Sequence, residues 1–463
     1  MTDVSRISLS FSSVREALTR RLNFKSLIEE SVRRARAASG DGIFTALVPE
    51  ADVFDRVEQL QRRADRGERL PLLGLTFAVK DNIHVAGMAT TSNCPGLSIM
   101  PAESARAVRL VEEAGAVLIG KNTMDQFATG LNGTRSPEPL CCNAIDRNYI
   151  PGGSSSGSAV AVARDIVSFA LGSDTGGSGR VPAACNGIVG LKPTIGLVST
   201  RGLLFNSRIL DVIPVFTRQV EEAYEILELI AGYDADDPFS REDAGRIDLA
   251  MREPDVRTIA IPRADQLRFF GDDHAAEAFQ ANIEALGTCG FDLVEIDFRP
   301  FEEAGRLVFQ SPLVAERLCD YGEVIANRPD TIHPAVWAAI EPGLSYTARE
   351  AFEAFYELRR RRNDVVRQLS GVSALAVPTV PTIFTIEQML AEPMTRNSIM
   401  GTYTYFANPL DLCAVSVPGK RRNDGLPSAL CFAAIAGQDG VLRKIASAFE
   451  SASLNAHGEL CPA

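Results

Sequence analysis

Two glycine- and serine-rich turns lie in the middle of this chain, and the second, Asp174-Thr175-Gly176-Gly177-Ser178-Gly179-Arg180, constrains its fold most. It follows the apolar run 166–171 and precedes Val181-Pro182-Ala183-Ala184, so the core must be arranged around it. Adjacent glycines let backbone N–H groups turn toward one point. Such a concavity suits a developing oxyanion, and Ser178 stands where a nucleophile would profit from it. Upstream lie Gly152-Gly153-Ser154-Ser155-Ser156-Gly157-Ser158 and, earlier still, Val79-Lys80-Asp81-Asn82. A lysine with two serine loops equips a chain for covalent hydrolysis without histidine. Asp174 and Arg180 flank the second loop and read either as a surface ion pair or as a pair that braces it.

The rest of the pattern predicts an α/β fold. Strands are expected over 75–79, 117–120, 258–261, 292–296, 373–377 and 428–434, with helices over 105–114, 221–231, 275–286, 302–327, 347–369 and 442–452. Ser104 is the expected N-cap of the first of these helices. A pair of helices is expected over 13–39, another over 52–66, and a small-residue helix over 158–164. Residues 232–254 read as a polar linker. This alternation implies a mixed, mostly parallel central sheet covered by helices on both faces.

Composition narrows the function. A net charge of −12 lacks the basic footprint that nucleic acid requires. No run of about 20 apolar residues is present to span a membrane. The first residues carry Asp3 and Arg6 and lack the apolar stretch of a signal peptide, and nine scattered cysteines form no Cys-x-x-Cys pair. The reading is a reduced, cytoplasmic protein without a metal or organic cofactor. Gly153 to Gly157 satisfies G-x-S-x-G, but the polar, proline-ended 143–151 is no buried strand, so Ser155 fails the elbow's context. None of the four histidines, His84, His274, His333 and His457, lies in a triad signature. Lys80, carried inward by the apolar residues before it, would lose its charge by desolvation and serve as a base.

Lys80, Gly152-Gly153-Ser154-Ser155 and the 174–180 loop together resemble the amidase signature enzymes, as do Gly190-Leu191-Lys192-Pro193-Thr194 and Pro378-Thr379-Val380-Pro381. The resemblance covers about 74–449 and implies one amidase signature domain over 1–463, with 1–70 as a helical N-terminal segment. It implies Ser178 as acylated nucleophile, Ser154 as bridging serine with a cis peptide before or near Ser155, and Lys80 as general base. Thr175, Gly176, Gly177 and Ser178 would supply the oxyanion hole through their N–H groups.

Within that family the chain looks most like the amidase domain of allophanate hydrolases. Phe127-Ala128-Thr129-Gly130-Leu131, Gly133-Thr134-Arg135-Ser136-Pro137, Val314-Ala315-Glu316-Arg317 and Gly401-Thr402-Tyr403-Thr404 carry this likeness. It implies substrate binding at Arg317, Phe309, Gly130 and Tyr403. In the subfamily a tyrosine eight positions before the arginine helps hold the substrate carboxylate; here that position is Phe309, and Leu313 stands where a tryptophan is usual. A hydrogen bond to a charged group contributes roughly 1.5–3 kcal/mol, so carboxylate affinity is expected to fall tenfold or more. The expected reaction is hydrolysis of a small, allophanate-like ureido or amide C–N bond, with ammonia released. The alternatives are a neutral or cationic ureide such as biuret or guanylurea, or an ammonia-releasing component of a transamidosome-type complex. The resemblance further implies a homodimer, and no counterpart of the allophanate hydrolases' second, C-terminal domain is expected.

Overall fold

The computed structural model describes residues 4–455, so Asp3 and His457 lie outside the described residues. Eleven strands form one sheet: β1 (Phe44–Leu47), β2 (Thr76–Lys80), β3 (Val117–Asn122), β4 (Phe169–Leu171), β5 (Val189–Lys192), β6 (Val215–Thr217), β7 (Thr258–Pro262), β8 (Asp292–Ile296), β9 (Ala374–Pro378), β10 (Leu412–Pro418) and β11 (Ala429–Ile435). Their order across the sheet is β1-β3-β2-β4-β6-β5-β10-β11-β9-β7-β8. The sheet is mixed, as expected, but antiparallel pairing predominates. Parallel contacts join β2 to β3 and β4, and β7 to β8 and β9. Every other pairing is antiparallel, including the long β10–β11 pair. The parallel units sit toward the two wings, where helices such as Arg106–Glu113 and Asp273–Thr288 cross over between the paired strands.

The central strands are buried along their whole length, which is why they read as continuous apolar runs rather than alternating ones. One face packs Phe77, Phe169, Val415 and Phe432 against the helices Val220–Ile230 and Asp439–Asn455. On the other, Ala78, Ala170 and Phe216 meet the helix Ser156–Ala163. That helix has no polar side because it is enclosed all round, and its Ala and Gly residues bring it close to the sheet.

Several boundaries differ from the sequence reading. The helix after residue 104 begins at Arg106, and Ser104 caps nothing: its hydroxyl accepts from the Ala86 N–H. The region 302–327 is not one helix. It divides into Arg299–Phe309, a 3-10 turn Pro312–Glu316, and Arg317–Asn327, because Pro312 cannot donate and restricts Ser311 to an extended backbone. Residues 232–254 hold only a 3-10 turn, Ala244–Arg246, yet they are anchored. Buried Asp234 and Asp237 accept from Ser199 Oγ, and Asp237 also accepts from the Thr200 N–H.

Candidate active site

The two serine loops meet at the end of β2. Lys80 is its last residue and is fully buried. Its Nζ lies 2.7 Å from Ser154 Oγ, 2.8 Å from Ser173 Oγ and 3.3 Å from the Ser173 carbonyl. Ser154 Oγ lies 2.9 Å from Ser178 Oγ. The three side chains therefore form a line, lysine to serine to serine, and Ser178 alone of them lines the adjacent cavity. Hydroxyl protons rotate, so this line supports proton movement either way. Burial pushes the Lys80 ammonium down to about 7, despite the opposing pull of Asp211, Asp125 and Asp174. A lysine so placed is neutral in a large fraction at neutral pH.

The Gly153–Ser154 peptide is cis, next to Ser155. Ser155 Oγ makes no hydrogen bond with Ser154 Oγ or Ser178 Oγ and donates instead to the Ser173 carbonyl at 3.2 Å. Two histidines are engaged elsewhere, His84 with Thr90 and His333 at the start of the helix Pro334–Ile340.

The loop 174–180 is organised by one carboxylate. Asp174 Oδ1 accepts from the Gly177 N–H at 2.7 Å, and Oδ2 accepts from the Gly179 N–H at 2.9 Å. Arg180 completes a two-pronged pair at 3.0 Å on each oxygen, and also donates to the Thr404 carbonyl and Asn408. Burial alone would raise the Asp174 carboxyl, but the Arg180 charge and hydrogen bond outweigh it and hold the group below its ordinary value. The pair is buried, not a surface contact. Gly177 adopts φ +138°, a conformation that side-chain-bearing residues rarely tolerate.

This geometry corrects one sequence assignment. The Gly177 N–H is committed to Asp174 and is not free to meet an oxyanion. Among the described residues, the N–H groups of Thr175, Gly176 and Ser178 have no partner. Thr175 is held in turn by its hydroxyl, which donates to buried Asp211. Burial raises the Asp211 carboxyl to about 7, against the hydrogen bonds from Thr175, Asn206 and Ser207.

The cavity beside Ser178 has a volume of about 320 Å³. Gly130, Phe309 and Arg317, three of the residues singled out in the sequence, line it. Arg317 opens the helix after the Pro312 turn, so the break at 310–312 turns both Phe309 and Arg317 to the cavity. Its guanidinium is buried, sits 5.3 Å over the Phe309 ring, and makes no hydrogen bond or ion pair among the described residues. Burial lowers its pKa to about 10, and the more distant Asp211 and Glu316 oppose the shift. Tyr403 is not a wall residue. It packs against Phe298, and its hydroxyl accepts from the Arg268 N–H at 2.6 Å. The wall tyrosine is Tyr405. Sequence reasoning also missed Ser173, Asp211 and Asn397. Only Ser173 carried a signal, as the polar residue between the apolar run and Asp174.

The fold and this site define a class: an α/β protein in which a cavity-lining serine is joined through a second serine to a buried lysine, with no histidine in the line. A profile described as Amidase matches residues 26–442, and the chain belongs to that family. The urea amidolyase of Saccharomyces cerevisiae (strain ATCC 204508 / S288c) is 37% identical over 407 residues, 87% of this chain and 22% of that protein. A glutamyl-tRNA(Gln) amidotransferase subunit from Exiguobacterium sp. (strain ATCC BAA-1283 / AT1b) is 31% identical over 454 residues, 92% of this chain and 93% of that protein. The allophanate hydrolase structure of Kluyveromyces lactis superposes with a TM-score of 0.91 at 34% identity, covering 97% of this chain and 73% of that one. The chain thus spans about a fifth of the length of the urea amidolyases it matches. Among the described residues, no cluster of His, Cys, Asp and Glu could hold a metal ion, and no helix is long and apolar enough to cross a membrane.

Proposed function

We propose that the chain hydrolyses the terminal C–N bond of a small ureide or amide bearing a carboxylate, an allophanate-like compound, through an acyl-enzyme on Ser178. The Lys80–Ser154–Ser178 line carries this reading. Neutral Lys80 accepts the Ser154 proton as Ser154 takes that of Ser178, and Ser178 Oγ attacks the carbonyl carbon. The tetrahedral oxyanion lies against the N–H groups of Thr175, Gly176 and Ser178. The C–N bond breaks as the proton returns along the line to the nitrogen, which leaves as ammonia. Water then attacks the acyl ester, gives its proton to the same line, and frees Ser178.

The carboxylate is argued from Arg317. A buried cation without an acceptor is costly, and an anionic ligand offsets that cost. Phe309 removes one donor but leaves the guanidinium in place. We further assign the protein to the cytoplasm as a homodimer that needs no cofactor.

The test is ammonia release from allophanate, biuret, guanylurea, malonamate and simple aliphatic amides offered side by side, with Arg317→Met in parallel. The acidic substrates should lead, and Arg317→Met should raise their KM at least tenfold. Preference for biuret or guanylurea would overturn the carboxylate reading. Silence on all would favour dependence on a partner, as in an amidotransferase complex.

A further inference from the structure

We propose that Tyr405 is a substrate-binding residue whose phenol O–H donates to the carboxylate that Arg317 attracts, so that the pair sets selectivity for acidic over neutral substrates. The inference rests on the carboxylate reading above and deepens it. Tyr405 and Arg317 both line the cavity, with Phe309 between them. The Phe309 ring centroid is 4.3 Å from that of Tyr405, and the Arg317 guanidinium lies 5.3 Å from the same Phe309 centroid.

The ring of Tyr405 is closely held. A Cβ at Gly401 would stand 2.1 Å from its Cε2 and Cζ, and one at Gly305 would stand 2.8 Å from its Cβ. Gly176, whose N–H faces the proposed oxyanion, leaves room for Phe309 and Tyr405 alike. The phenol is therefore tied sterically to the loop that holds Ser178.

Its proton is also available. Asn397 Oδ1 accepts from the Leu131 N–H and from Asn132 Nδ2, both at 2.8 Å, which orients the amide. Asn397 Nδ2 then donates to Tyr405 Oη at 3.3 Å. With that oxygen used as acceptor, the O–H has, among the described residues, only the Asn397 carbonyl at 3.4 Å, a long contact that a carboxylate would readily replace. A hydroxyl absent from position 309 is thus supplied across the ring stack from position 405.

The test uses the full chain carrying Ser178→Ala, so that ligands bind without turnover. Calorimetry gives the affinities of malonamate and of malonamide, its neutral counterpart. Adding Tyr405→Phe should lower the malonamate-to-malonamide affinity ratio at least tenfold without changing the melting temperature. Adding Phe309→Tyr as well should restore it, by returning a hydroxyl to the same wall. A preserved ratio in Tyr405→Phe would overturn the role of Tyr405 while leaving the carboxylate reading standing. A loss that Phe309→Tyr does not restore would assign the effect to repacking and overturn it too. If the parent shows no preference for malonamate, the carboxylate reading fails and takes this inference with it.

Discussion

Ser154→Ala is the substitution that most sharply separates a relay from a bystander. It removes one oxygen, the one 2.7 Å from Lys80 Nζ and 2.9 Å from Ser178 Oγ, and leaves the Cβ and the loop in place. Lys80 and Ser178 are not in hydrogen-bond contact with each other, so without this hydroxyl the base has no direct path to the nucleophile. Positioned general-base catalysis contributes on the order of 10²–10⁴-fold, equivalent to about 3–5 kcal/mol of barrier. The variant should lose kcat by that factor. KM should change little, because Ser154 does not line the cavity. Removing the Lys80 partner also leaves Ser173 as its remaining close contact, so the lysine stays buried and the fold is retained. Steady-state ammonia release at saturating substrate measures the effect, with circular dichroism as the control for folding. A kcat within tenfold of the parent, in a folded protein, would refute the relay.

Three further outcomes follow from the electrostatics. Lys80 acts as a base only when neutral, and burial brings its pKa to about 7. Hence kcat/KM should climb about tenfold per pH unit below that value and level off above it; a profile flat from acid to alkaline pH would contradict the assignment. Asp211 is also raised to about 7 by burial, and its charge favours the Lys80 ammonium. In Asp211→Asn the rising limb should persist but move to lower pH, because an opposing negative charge that favours the ammonium is gone; its disappearance would mean that Asp211 is the group being read. Asp174→Asn strips Arg180 of its counter-charge within a fully buried pair. Denaturant unfolding should then show a loss of about 3–5 kcal/mol, and a loss below about 1 kcal/mol would show that the pair does not hold the loop.

Much of this architecture was legible because its signals are local. Lys80 follows the apolar run Phe77-Ala78-Val79, and the glycine pair at 176–177 with a serine behind it has few structural uses other than a tight turn inside a core. Where longer-range partners decide the outcome, the sequence was silent. Gly177 and Gly176 look equivalent as written, yet Asp174 takes one N–H and leaves the other. Tyr403 and Tyr405 lie two residues apart in a segment of turns with no helical or strand period. Which of them faces the cavity depends on Phe298 and Arg268, from a distant stretch, claiming Tyr403. Strands β5 and β6 are only four and three residues long, too short to show a period. β10 is absent from the expected strands although 412–417 is largely apolar, and its antiparallel links to β5 and β11 tilt the sheet away from the parallel arrangement expected. The break at Pro312 was visible as a residue, but its effect, turning Phe309 and Arg317 onto one wall, needed the fold.

The proposed mechanism turns on Ser178 becoming acylated. The most direct measurement is mass spectrometry of protein quenched during turnover of a slow amide, followed by peptide mapping. An acyl mass on the peptide containing Ser178, absent from Ser178→Ala and reduced in Lys80→Ala, is the predicted result. No adduct at Ser178, together with turnover retained in Ser178→Ala, would contradict the mechanism at its centre.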